Sequence, residues 1–147
     1  MFERLSPVAQ QDERQIEIMG RMIPVKRLSH GVVWFEFIDI CGGPRAQTDY
    51  LEIAHQFHTV FVSHIPKMGA EDAPAAQRFI WLVDVFYDNR VKLVISAATL
   101  PHELYVDAAQ SGEFARTASR LIEMQSRNYL SLPHQSEGVT LNFPGDG

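Results

Sequence analysis

QRFIWLVDVFYDNRVKLVISA, residues 77 to 97, carries the decision about the fold. In its first part Phe79, Leu82, Val83, Phe86 and Tyr87 recur at helical spacing and draw one apolar stripe along a helix. Asp88, Asn89 and Arg90 end that helix, and the period changes at once. Val91, Leu93, Val94 and Ile95 make a short β-branched run, too apolar for an edge strand and suited to one buried on both faces. Helix, tight polar turn and buried strand are half of a parallel α/β crossover. Such a strand needs neighbours on both sides and helices over both faces, which the rest of the chain must supply.

On the near side of this stretch, residues 58–65 (HTVFVSHI) read as a second strand closed by Pro66, and residues 46–57 as a helix with Tyr50, Leu51, Ala54 and Phe57 on one face. Asp49 followed by Glu52 offers a capping-box pattern. Residues 69–74 read as a loop, with Asp72 placed to cap the helix that Ala75 and Ala76 begin. Further upstream, Ile16 and Ile18, then Met22, Ile23 and Val25, flank Gly20-Arg21 as a short hairpin. Pro24 makes its second strand an edge. Residues 32–37 (VVWFEF) are a strand able to join that antiparallel layer.

Beyond Ala97, Pro101 suits the first turn of a short helix within residues 99–105. Gly112 precedes a final helix with Phe114, Ala118, Leu121, Ile122, Gln125 and Tyr129 on its apolar face and Glu123 spaced to pair with Arg127; it ends near Leu130, before Pro133. The expected organisation is a flexible lead-in (1–15), a folded region (16–133) made of a β unit (16–38) and an α/β unit (39–133), and a flexible tail (134–147). The fold class is α/β: a mainly parallel sheet with helices on both faces, preceded by a small antiparallel β unit.

A chain of 147 residues, 46% hydrophobic, suits one domain with a substantial core. A net charge of −5 argues against a nucleic-acid partner, which calls for a basic face. Cys41 stands alone, so an intrachain disulfide and a two-cysteine zinc motif are excluded, and a reducing, cytoplasmic compartment fits. No run is long enough for a membrane span, and MFERLSPVAQQDER is too polar for a signal peptide.

His55, His58 and His64 raise a metal hypothesis, but they straddle a helix end and both ends of a strand, so ordinary polar histidines are expected and no metal. His102-Glu103 lacks the second histidine of a zinc-protease helix. Cys41-Gly42-Gly43-Pro44-Arg45 could be an anion loop, yet two adjacent glycines are a weak signal, and a turn with a buried thiol is the plainer reading. No glycine-rich loop ending in Gly-Lys-Ser/Thr occurs anywhere, so the chain cannot hold a triphosphate as a P-loop enzyme does. Arg78, Arg116 and Arg120 could act in trans on a nucleotide bound elsewhere; each also has a plain role on the solvated edge of a helix.

The blocks GVVWFEF, DICGGPRAQTDYLEIAHQFHTVF, RFIWLVDVFYDNRVKLVISA and FARTASRLIEMQSRNYL, in that order, resemble the C-terminal third of the ZapE-type cell-division ATPases, the AFG-one-like family. The resemblance runs from about Ile16 to Pro133. It implies an AAA+ P-loop ATPase that uses ATP and Mg, acts on the division protein FtsZ at the inner face of the bacterial membrane, or serves mitochondrial inner-membrane protein quality control. The family's Walker A and Walker B elements fall upstream of the matched region and are absent here. His64 stands where family members often carry an acidic residue, which resembles a faded Walker B strand end, so the resemblance implies a degenerate P-loop, AAA-like α/β unit.

What the resemblance implies for this chain is therefore packing, oligomer or client contacts rather than chemistry. Its partners would be an N-terminal catalytic ATPase module or paralogous subunits, with FtsZ as a client, peripheral membrane association and a homo-oligomer in the full-length form. The alternative is a free-standing, non-catalytic interaction module derived from that family. A small unrelated hydrolase has no nucleophile, base and orienter to support it.

Overall fold

The computed structural model describes residues 15–105 and 111–124 and, in the tail, the backbone of 134–136 and 139–141. The expected lead-in over residues 1–14, the last turn of the final helix with Gln125 and Tyr129, and Arg127, the expected partner of Glu123, lie outside the described residues.

Strands β1 (Gln15–Ile18) and β2 (Arg21–Pro24) form the small antiparallel hairpin. Its turn is Met19-Gly20, one residue earlier than expected, because both central positions take positive φ (52° and 80°) and the glycine occupies the second. Among the described residues four strands make the main sheet, in the order β3 (Arg27–Ser29), β4 (Val32–Glu36), β5 (Thr59–Ile65), β6 (Lys92–Ala97). β3 runs antiparallel to β4, whereas β4, β5 and β6 are mutually parallel. Residues 32–36 therefore do not join the β1–β2 hairpin, which is a separate sheet; they pair antiparallel with β3 and parallel with β5.

The crossover from β4 to β5 contains α1 (Phe37–Cys41) and α2 (Gln47–Gln56); that from β5 to β6 contains α3 (Ala73–Asp88). α4 (Ser111–Met124) follows a short 3-10 turn at Pro101–Glu103. Crossovers that step in one direction put their helices on the same face. Val33, Phe35, Val60, Val62 and Leu93 accordingly join the buried core with Phe79, Phe86 and Leu121. Each large side chain so buried contributes about 1.5–3 kcal/mol. A row of rings, Phe37, Phe79, Phe114 and Tyr105, ties α1, α3 and α4 together at centroid spacings of 5.9, 6.3 and 5.6 Å. On the other face Trp34, Phe61 and Val94 lie side by side in register, the first two half-buried and Val94 42% exposed.

The mainly parallel sheet flanked by helices matches the expectation, but the crossover helices pack on one face where both were expected, and several local readings are corrected. Among the described residues β6 is an edge strand and not an interior one: the sheet order ends with it, and its outer half is exposed from Val94 onward apart from half-buried Ile95. Asp49 sits at the third helical position of α2, where its carboxylate reaches back to the Ala46 amide at 2.7 Å; Glu52 instead accepts from Gln56. Asp72 caps the 3-10 turn at Ala70–Asp72 by accepting from the Gly69 amide, 2.9 Å away, rather than α3, which begins at Ala73. Leu51 and Ile122, expected on buried faces, are 39% and 50% exposed, while Ile53 and Met124 take the inward positions. The segment expected as a flexible tail contains a hairpin of β7 (His134–Ser136) and β8 (Val139–Leu141).

Candidate functional site

Ligands of open parallel sheets collect beyond the carboxyl ends of the strands, so that edge comes first. At the end of β4, Glu36 accepts from Lys26 Nζ at 2.7 Å through Oε2, while its Oε1 lies 2.8 Å from His64 Nδ1 at the end of β5. The Lys26 hydrogen bond, aided by His64, outweighs the cost of partial burial and holds Glu36 below the usual carboxylate range. Asp39 is raised instead, by desolvation first and by Glu36 next. Lys26 also stands 4.9 Å over the Trp34 ring, whose Nε1 donates to Ser63.

β5 slips register between Val62 and Ile65, and His64 within the slip has φ 60°. Such a bulge re-aims a side chain. Here it turns the imidazole onto Glu36, and the His64 amide onto Ser96 Oγ at 3.2 Å. A cavity of about 330 Å³ opens beside the pair, lined by Ile38, Pro66, Met68 and Asp72 among others. Among the described residues no hydroxyl or thiol bonds to the His64 ring, so the pair has no nucleophile to activate. The sequence singles out His64 but not Glu36 or Lys26; a lone acid closing the apolar run VVWFE was the available signal.

The three candidate arginines do not converge, which the helices explain. The last carbonyls of α1 are each met by a side chain: Asp39 by Arg45 at 2.8 Å, Ile40 by the Tyr50 hydroxyl at 2.9 Å and Cys41 by Arg78 Nε at 2.7 Å. Arg78 therefore caps a helix end within its own chain. Arg120 pairs with Asp84 and lies 5.0 Å over the Tyr87 ring. Arg116, on the exposed side of α4, has no partner among the described residues.

In the Cys41 to Arg45 segment the Gly42 amide donates to Ile38, and Arg45 donates to the Asp39 and Pro44 carbonyls while its buried Nε has no partner. These residues do not fit a nucleoside triphosphate with its magnesium. The Cys41 thiol is fully buried, and burial pushes it up to about 12, only partly offset by Tyr50 and the two arginines. His55 is exposed, His58 stands against Gly31 with Nδ1 2.7 Å from Thr59, and His64 is on Glu36. Among the described residues no group of three or more His, Cys, Asp or Glu side chains could hold a metal ion.

A second opening lies along the outer half of β6, unforeseen because it joins residues distant in sequence. Val94, Ile95, Ala97, Pro101, Leu121 and Ile122 are among the walls of an apolar groove of about 390 Å³ between that strand and α4. Leu100, in the loop between them, is 68% exposed. No helix among the described residues is long and apolar enough to cross a membrane.

Comparison with known proteins gives a consistent result. The family described as AFG1-like ATPase matches residues 1–133. The cell division protein ZapE of Escherichia coli is 38% identical over 119 residues, covering 81% of this chain and 32% of that protein. An uncharacterized protein of Schizosaccharomyces pombe is 33% identical over 85% of this chain and 33% of its own length. Lactation elevated protein 1 homolog B of Danio rerio is 32% identical over 76% of this chain and 22% of its own length. The chain thus spans a third or less of the length of these relatives. No solved structure matches it.

Proposed function

The chain belongs to the AFG1-like ATPase family, and we propose that it is the segment of such an ATPase that docks on the ATP-binding part without itself holding the nucleotide. The observation that carries this reading is a contrast: residues 1–133 match an ATPase family, yet no Gly-Lys-Ser/Thr loop occurs in the chain. ATP and magnesium belong to the remaining two-thirds of an AAA+ chain or to paralogous subunits. This segment contributes packing, subunit contacts and a client surface. Of the three arginines, Arg116 is the one left to reach a nucleotide in trans, since Arg78 and Arg120 are engaged within the chain.

The E. coli relative's name connects the reading to cell division; on our proposal the client is FtsZ and the place is the cytoplasmic face of the inner membrane. The alternative, a free-standing interaction module, draws on the single cluster of buried hydrophobic residues that the described residues form. Calorimetry of the purified chain with ATP and magnesium tests the reading. No binding is expected; saturable binding overturns it, because the triphosphate would then sit on something other than a P-loop.

A further inference from the structure

β6 does not fit its position. Its sequence, KLVISA, is that of a strand with a neighbour on each side, yet it closes the described sheet. Edge strands in stable monomers are blunted by charge, proline or a cover. From Val94 to Ala97 there is neither a charge nor a proline, and Val94 is 42% exposed. The groove beside it is apolar, and Leu100 and Ile122 stand at its sides 68% and 50% exposed. Parallel sheets normally have both faces covered, and an exposed apolar edge is a template for a further strand. The matched relatives carry at least two-thirds of their length outside the region this chain spans, which is the length of chain from which a cover could come.

We propose that the outer half of β6, with the groove walled by Val94, Ile95, Leu121 and Ile122, receives an extended apolar segment of the ATP-binding part of an AFG1-like chain, added as the next strand of the sheet. In β6 the Lys92 amide faces β5, donating to His58. Alternation then turns the amides and carbonyls of Ile95 and Ala97 outward, toward the incoming strand. Main-chain bonds would supply affinity, and the groove would select apolar side chains at alternate positions. The inference rests on the docking reading above and specifies the surface used.

Hydrogen exchange of the Ile95 and Ala97 amides tests it, comparing the 147-residue chain with E. coli ZapE carrying this chain in place of its own matched segment. Exchange at both amides is expected to slow by about tenfold or more in the chimera. Ile122→Glu, a change at an exposed position, should remove that protection without altering the fold. Equal exchange in the two proteins overturns the proposal, as does protection in the chain alone that grows with its concentration, which would make a second copy the occupant. A chimera that hydrolyses ATP with an unprotected edge sinks the surface and leaves the docking reading standing. Protection confined to the chimera, together with ATP binding by the 147-residue chain, does the reverse.

Should the chimera fail to fold, a photo-cross-linking side chain at Leu100 of the intact chain, mixed with E. coli ZapE, decides the matter. Cross-links to ZapE outside its matched segment support the surface. Cross-links only between copies, or none, overturn it.

Discussion

Removing the Arg78 guanidinium takes from the Cys41 carbonyl its 2.7 Å donor at the end of α1. A charge-assisted bond of this kind is worth roughly 1–3 kcal/mol. Arg78→Ala should therefore lower the unfolding free energy by about that amount, with Arg78→Lys recovering only part, since an ammonium lacks the fixed planar fork. Urea denaturation measures both, and an unchanged midpoint for the alanine variant would deny the cap any structural weight. The partner lies 37 residues away in sequence. Spacing along a helix can place Arg78 on an edge, but it cannot say what that edge meets. The Glu36–His64 pair, separated by 28 residues, was hidden for the same reason.

Turns hold the elements in register, and the one between β3 and β4 does most of this for β5. The Gly31 carbonyl accepts from the amides of His58 and Thr59 at 2.9 and 3.2 Å, clamping the start of β5 to the hairpin before it. Gly31 has φ 76°, and a Cβ there would meet His58 Cδ2 at 2.5 Å. Gly31→Ala should cost about 1–3 kcal/mol, whereas Gly43→Ala, with open space around it, should change stability by less than about 0.5 kcal/mol. Thermal unfolding of the pair checks the contrast; equal effects would mean that the clamp is not needed.

At this scale α2, α3, α4, β5 and β6 were legible because each is long enough to show its period. β3 and α1 were not, having three and five residues. The run FIDIC, which alternates apolar and polar groups in part, reads more readily as the continuation of a strand.

For the molecule as a whole, stability in alkali follows from two buried groups beside α1. An exposed thiol ionises near 9.0, but burial keeps Cys41 protonated to about 12 in the folded state. Tyr50 is raised as well, chiefly by burial. Between those limits the folded chain holds more protons than the unfolded one, so stability is fully present below pH 9 and falls as pH rises toward 12. Urea midpoints taken from about pH 8 to 11 should decline, and less steeply for Cys41→Ala; a flat profile would contradict the burial of the pair. The fold class was readable from one helix-turn-strand stretch, whereas the position of β6 was not. An apolar strand predicts that it will be covered and does not say by which chain.

The parallel strands stand in the sheet in the order in which they are made, β4, then β5, then β6. Each new strand joins the one synthesised just before it, so every closure is a short one in chain-entropy terms. Assembly can therefore proceed vectorially as the chain leaves the ribosome, one crossover at a time. Val94 and its neighbours are then the last part of the sheet to take shape, a growing end rather than a finished margin.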